Sequence, residues 1–385
     1  MLDEAATGGG SVRGWPPGFG LGEGERAAAL VLSSLAGISP LALHALAWQE
    51  GTAVGCLARV RSGDAGSEAD ARWAQDADPR AIESRVASSN ARFLVPSDEE
   101  YPASLDDLHD PPVGLFVIGA PICDQRVGVV GARGCSAAGR DSASEIGEGL
   151  ASAGIGVVSG AARGIDVAAH RGALSVGGPT IAVLGSGIDV WYPRGSVEVI
   201  ALCAEAGSVV SEYPPGVIAQ AFRFPARNRI VAALSRAIVV VEGAEGSGSR
   251  ITVEHALDLG REVFAVPGPV SSPLSEIPLE LIRDGATLVR GSEDLLSDLG
   301  VDEVARQRSK VEGLSSAERA VWDALAGSSL PEAIASRAEM GVVDVMPLLM
   351  DLELAGMVRS MGGRYERRLR PKDANRPSLE GPRSA

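Results

Sequence analysis

The segment Phe222-Arg223-Phe224-Pro225-Ala226-Arg227-Asn228-Arg229 concentrates three arginines, two phenylalanines and an amide within eight residues. The surrounding chain of 385 residues is only 4% aromatic and carries a formal net charge of −15. Aromatic faces stack on unpaired bases and guanidinium groups pair with phosphates, so this composition predicts a nucleic-acid-facing loop. A merely solvated charged loop would have no use for Phe222 and Phe224.

Two further segments repeat part of this chemistry. Gly131-Ala132-Arg133-Gly134-Cys135-Ser136 joins an apolar run to a helical one. Small residues there let backbone N–H groups approach an anion, and a helix N-terminus adds partial positive charge. Arg133 can fork onto a phosphate, and Ser136 can cap the helix or donate to a ligand. Ser159-Gly160-Ala161-Ala162-Arg163-Gly164-Ile165-Asp166 brings a second arginine, Arg163, to a similar turn. Asp166 reads as a helix N-cap and His170 as packing or a local hydrogen bond. A third loop, Glu242 to Ser249 (EGAEGSGS), has the glycine spacing of a P-loop, with Ser249 where the lysine belongs and Ser247 as a further hydroxyl. ATP hydrolysis is therefore not expected. Gly185-Ser186-Gly187 lacks the third glycine of a dinucleotide fingerprint, and no nucleophile elbow or acid–base pair stands out. No catalytic residue, cofactor or metal site is expected.

These segments need a scaffold that brings them together. Val113–Ile118, Val127–Val130, Gly156–Ser159, Thr180–Leu184, Ser208–Ser211, Ala237–Val241, Glu262–Val266 and Thr287–Val289 read as strands. Helical stretches such as Gly139–Ala153 and Thr252–Leu259 lie between them. Continuous apolar strands alternating with amphipathic helices indicate an α/β, Rossmann-like, mostly parallel sheet covered on both faces. Ligands of such sheets bind outside the carboxyl ends of the strands, where the three loops fall.

Around this core, residues 1–24 are rich in Gly and Pro and are expected to be disordered. Residues 25–100 read as a small helical N-terminal module, with Ser39 and Pro40 opening its second helix and a polar stretch at Ser62–Asp78. The Rossmann-like domain is placed at 101–300 and a charged linker at 301–313. Residues 314–367 show three helices and two short strands around Gly362-Gly363, the order of a winged helix, and 368–385 read as a disordered tail. Cys56, Cys123, Cys135 and Cys203 form no CxxC pair, and no run has the form of a secretory signal or a membrane span. A cytoplasmic protein is expected. Net acidity does not exclude a nucleic-acid partner, because binding follows local potential. Only two lysines occur, Lys310 and Lys372, so the positive charge is almost entirely arginine.

Several motifs in order resemble the DNA-processing protein A family (DprA, also called Smf) over about Tyr101 to Leu299. They are YPxxL…DPP (Tyr101–Pro112), VGxR (Val130–Arg133), SGxARGID (Ser159–Asp166), AAHRGAL (Ala168–Leu174), AVLGSGID…YP (Ala182–Pro193), SEYPPG (Ser211–Gly216), FPxRNRI (Phe224–Ile230), SGSxxT (Ser247–Thr252) and REVFAVPG (Arg261–Gly268). The resemblance implies binding of single-stranded DNA during transformation, homodimerisation and loading of the RecA recombinase. It also implies phosphate contacts from Arg133, Arg227 and Arg229. Ala132 replaces the family's usual serine, and Ile277-Pro278-Leu279 replaces a usual Gly-x-Asn.

Two other readings stand beside it. Gly246–Glu254 distantly resembles a loop of nucleoside-monophosphate phosphoribohydrolases, in which Glu254 would assist glycosidic cleavage. A winged helix could instead read duplex DNA, but Val342–Ala355, its recognition stretch, has no basic residue to neutralise phosphates.

Overall fold

The computed structural model describes residues 14–301, 314–325, 327, 329–355 and 357–367. The chain divides after Leu299 into two compact units.

The first unit opens with five helices: α1 (Glu23–Leu32), α2 (Pro40–Glu50), α3 (Ala53–Ser62), α4 (Glu68–Asp76) and α5 (Pro79–Ser88). Ser39 caps α2 by accepting from the Ala42 amide, with Pro40 in the first position, as its sequence predicts. One expectation needs correction here. Residues 14–24 are ordered, because Trp15 and Phe19 stack with ring centroids 4.2 Å apart and are buried. Two large rings bury enough apolar surface to outweigh a Gly/Pro-rich context. Residues 1–13 lie outside the described residues. The polar stretch at 62–78 contains α4, started by a Ser67–Asp70 capping box. Asp70 also accepts from the amides of Ala36 at 3.1 Å and Gly37 at 2.9 Å, tying α4 to the loop before α2.

Nine strands form one sheet: β1 (Arg92–Leu94), β2 (Leu115–Gly119), β3 (Arg126–Val130), β4 (Gly156–Ser159), β5 (Thr180–Val183), β6 (Ser208–Ser211), β7 (Ala237–Val240), β8 (Glu262–Ala265) and β9 (Thr287–Leu288). Their order is β1-β2-β6-β5-β4-β3-β7-β8-β9. The seven from β3 onward are parallel, while β1 and β2 run antiparallel to their neighbours. The helices α6 (Ala137–Ser152), α7 (Ile165–Ser175), α8 (Val197–Ala206), α9 (Arg223–Leu234), α10 (Ser249–Asp258), α11 (Glu276–Arg283) and α12 (Ser292–Asp298) follow in chain order. Side chains alternate between two cores. Ala182 and Leu184 join a cluster with Leu30, Leu43 and Leu57 of the N-terminal helices, whereas Ile181 and Val183 join one with Ile230 and Leu234 of α9. The N-terminal helices thus share their core with the sheet.

From β3 the chain builds outward through β4, β5 and β6, then returns to place β7 on the other side of β3. That reversal opens a crevice at the carboxyl ends of β3 and β7, the position at which doubly wound sheets bind ligands.

The second unit contains α13 (Ser316–Ala324), α14 (Pro331–Ala338), α15 (Val342–Leu354) and a hairpin of β10 (Val358–Met361) and β11 (Arg364–Arg367). Trp322, Ile334, Leu349 and Leu352 form its core. This is the winged-helix order expected of 314–367. The expected linker is, apart from Val301, outside the described residues, as is the expected tail at 368–385.

Candidate functional site

A cavity of about 840 Å³ opens at the switch point between β3 and β7. Of the candidate residues, Gly131, Arg133, Arg163, Phe224, Arg227, Asn228, Ser247 and Ser249 line it. The structure does not bring Ser136, Phe222, Arg223 or Arg229 into that lining, and each has a physical reason.

The aromatic–arginine segment is helical rather than a loop, forming the start of α9. Pro225 is tolerated because the first turn of a helix has no amide to lose. Residues two apart on a helix point to nearly opposite sides, so Arg227 and Arg229 diverge. Arg227 reaches the cavity floor. Arg229 is locked away: its Nε donates to Asp110 at 2.9 Å and its two terminal nitrogens to Glu212 at 3.2 and 2.7 Å. Its side chain is 5% exposed. Burial works against this charge, yet Glu212 and Asp110 hold the guanidinium above its ordinary range. The phosphate contact expected of Arg229 is therefore not available. Phe222 points outward, 66% exposed, and Arg223 donates to the Ile218 carbonyl while lying over Tyr213 at 5.0 Å.

Ser136 caps α6 by accepting from the Gly139 amide at 2.9 Å. Its Oγ donates to Glu242 Oε1 at 2.6 Å, and its own amide donates to Glu242 Oε2 at 2.8 Å. Glu242 also accepts, through its carbonyl, from the Ala132 amide at 2.7 Å. The carboxylate thus fills the anion position at the α6 N-terminus that a phosphate takes in dinucleotide-binding sheets. Carboxylate and main-chain carbonyl together hold the two flanks of the turn carrying Arg133. Gly131 is required where this turn crosses the sheet, since a Cβ there would lie 2.7 Å from Ile165 Cγ1 and 2.8 Å from the Glu242 carbonyl.

The open anion position belongs to α10. Its N-terminus faces the cavity through Ser249 and, just before the helix, Ser247, whose hydroxyls are 2.9 Å apart. Asn228 braces that loop by donating to the Gly248 carbonyl at 3.2 Å. Ala132, in place of the family's serine, presents only a methyl to the cavity. Ile277 is buried and its amide donates to the Gly243 carbonyl at 2.9 Å, so the departure at 277–279 packs beneath the same loop.

On the facing wall, Arg133 lies 5.8 Å from the Phe224 ring centroid, within cation–π range. Phe224 in turn lies 5.5 Å from Tyr192. Tyr192 is 48% exposed and lines the cavity, but its sequence context marked it only as part of a longer motif. Glu242, likewise, carried no signal beyond its place at the end of a strand. Arg163 enters from the β4–α7 turn, where Gly164 holds φ at +85°. Gly164, not Asp166, is the N-cap of α7, which corrects the role expected of Asp166.

The floor is a buried charge cluster. Arg227, 3% exposed, donates through one terminal nitrogen to the Val183 carbonyl, and its Nε has no partner among the described residues. Gly160 makes room for it, since a Cβ there would overlap the guanidinium. Burial pushes Arg227 down to about 10, partly opposed by Asp166. Burial likewise raises Asp166 above the usual carboxylate range, against the pull of Arg227 and a hydrogen bond from the Ala162 amide. His170 behind them is pushed down to about 4 by burial and by Arg227, and contacts Thr180 Oγ1 through Nδ1 at 2.7 Å. That bond ties α7 to β5, so the ring packs through a tertiary hydrogen bond and not one local to its helix.

Among the described residues no group of His, Cys, Asp and Glu is arranged to hold a metal ion, and no helix is long and apolar enough to cross a membrane.

Comparison with known proteins bears on what this geometry serves. The chain is 38% identical over 287 residues to Protein Smf of Escherichia coli, covering 71% of this chain and 77% of that one. Its structure is similar to that of DNA processing protein A from Streptococcus pneumoniae, with TM-score 0.62 and 35% identity over 70% of this chain and 95% of that one. It is also similar to the Helicobacter pylori protein, whose structure is described as giving insight into a unique single-stranded DNA binding mode. That match has TM-score 0.50 and 26% identity, covering 55% and 97% of the two chains. Residues 92–300 match the family described as DNA recombination-mediator protein A, and 300–364 match the DprA winged helix domain. With the sheet, the cavity and both sequence matches in agreement, the chain belongs to the DNA recombination-mediator protein A (DprA/Smf) family.

Proposed function

We propose that this protein binds single-stranded DNA at the carboxyl end of its sheet and passes it to the RecA recombinase during bacterial DNA uptake and recombination. It acts as a cytoplasmic homodimer in this reading. The observation that carries the proposal is the convergence of Arg133 and Arg163 with the Phe224 and Tyr192 rings and the α10 N-terminus on one cavity. Guanidinium groups and helix amides suit phosphates, and the rings suit unpaired bases. Such a surface is sequence-tolerant, because every base has a face to stack. The single-stranded DNA binding mode described for the H. pylori relative supports the single-stranded ligand, and membership of the DNA recombination-mediator protein A family supports the link to recombination.

The phosphoribohydrolase reading loses its key residue, because Glu254 is exposed and is absent from the cavity lining. The duplex reading remains weakened by α15, which has no basic residue.

Fluorescence anisotropy titrations with oligo-dT, duplex DNA and nucleoside monophosphates over a range of salt test the proposal. Oligo-dT binds best, and log K falls against log salt with a slope of about −2 to −3 for three to four phosphates. Equal or tighter duplex binding at matched salt overturns the reading.

A further inference from the structure

We propose that the outward face of α15, in the second unit, is a docking surface for a partner that presents an amphipathic helix with a basic border. None of its residues lines the cavity, and the inference does not depend on what the cavity binds.

Helix α15 is apolar on two sides, although one is enough to fold the unit. Val345, Leu349 and Leu352 point into the core with Trp322 and Ile334. On the other side Val343, Met346, Met350 and Leu354 recur at helical spacing and stay exposed, Val343 by 84% and Leu354 by 82%. Pro347 lies in the same ridge and has no amide, so the helix supplies no donor from the next turn to the Val343 carbonyl. A continuous apolar row about three turns long, with two adaptable methionines in it, is a contact surface and not scattered exposure.

The charge around this ridge selects its occupant. By helical spacing, exposed Asp344 and Asp351 border it on one side and exposed Glu353 on the other. Asp344 and Asp351 make no ion pair among the described residues. Three arginines of the same unit are engaged elsewhere: Arg337 on the Ala324 carbonyl, Arg359 on Glu366 and Arg367 on the Trp322 carbonyl. A phosphate backbone or an anionic lipid surface is therefore repelled. A second copy packing this face on itself would set acid against acid in either helix orientation. A helix with an apolar ridge and Lys or Arg along its border meets every feature. It covers the ridge, pairs with Asp344 and Asp351, and brings a donor to the Val343 carbonyl.

The test titrates the full chain against three fluorescein-labelled synthetic peptides, each about five helical turns long. One is a Leu–Lys helix with its leucines on one face, the second its Leu–Glu counterpart, and the third a Leu–Lys peptide of scrambled pattern. By anisotropy the patterned Leu–Lys helix binds at least about tenfold tighter than either control. Met350→Gln combined with Leu354→Gln weakens it about tenfold and leaves its salt dependence unchanged. Asp344→Asn combined with Asp351→Asn weakens it about threefold and flattens the salt dependence. Asp76→Asn with Glu83→Gln, which removes the same charge from the first unit, changes neither. Melting temperature and oligo-dT affinity stay at wild-type values in every variant. Equal binding of the Leu–Glu or scrambled peptide overturns the proposal, as does unchanged peptide affinity in the Met350/Leu354 variant. A loss of oligo-dT affinity in that variant would assign the face to DNA instead. Loss in sedimentation velocity of a dimer that the wild-type chain forms would assign it to a second copy, and either result overturns the proposal.

Discussion

The two ends of one sheet treat the same residue type in opposite ways. At the amino end, Arg126 opens β3, and its guanidinium donates to the carbonyls of Leu234 and Cys123 and to Ser104 Oγ. Arg236, before β7, donates to Gln125 and to the Leu299 carbonyl, and Arg261, before β8, pairs with Asp107. At the carboxyl end, Arg133, Arg163 and Arg194 follow β3, β4 and β5 with no such partners among the described residues. Arg126 and Arg133 flank the same strand, yet one completes the fold and the other faces the cavity. The lesson is that an arginine's role follows from whether the backbone around it leaves carbonyls and acids to satisfy it. Where glycine-rich turns and helix N-termini supply donors instead, the charge is left for a ligand.

The largest effect should come from Arg229, which follows the amino-end pattern although it lies beside the cavity segment. Arg229→Ala leaves Glu212 buried without its partner and should cost about 3–5 kcal/mol of stability in urea unfolding. A loss below about 1 kcal/mol accompanied by a loss of DNA affinity would place Arg229 back in the binding site.

Arg126 and Arg133 give the direct contrast. Arg126→Ala strips hydrogen bonds from buried carbonyls and should destabilise by about 2–3 kcal/mol, with the salt slope of DNA binding unchanged. Arg133→Ala should alter stability by no more than about 0.5 kcal/mol while weakening oligo-dT roughly tenfold or more. Similar stability losses in both would erase the distinction between the two ends.

The smallest effect sharpens the comparison by its sign. Glu242 is the carboxylate at the ligand end, and removing a negative charge near DNA should, by Coulomb attraction alone, tighten binding. Its carboxylate hydrogen bonds to the amide and hydroxyl of Ser136, on one flank of the Arg133 turn, predict the reverse. Glu242→Gln should weaken oligo-dT by about threefold, and the effect should vanish in an Arg133→Ala background if Glu242 acts through that arginine. Tighter binding by Glu242→Gln would assign it a purely repulsive role.

The amino-acid sequence by itself determined the parallel sheet, the three ligand-side loops and the winged-helix order. Each follows from local rules: apolar strands need both faces covered, and small residues at strand ends expose backbone amides. It also singled out Arg133, Arg163 and the serine pair, which line the cavity because each lies within a few residues of its own strand end. Helix α4 was legible in Ser67–Asp70 but masked by its polar composition, and the burial of Trp15 and Phe19 by the glycines and prolines around them.

Only the tertiary structure decided between Arg227 and Arg229. The two stand in one short motif, and their fates were set by Val183 on β5, by Glu212 after β6 and by Asp110 before β2. The same holds for Tyr192 and Glu242, whose partners lie 32 and 106 residues away at Phe224 and Ser136. Charge satisfaction and stacking depend on distances across the fold, and those distances are fixed by strand order, which no local pattern of residues specifies.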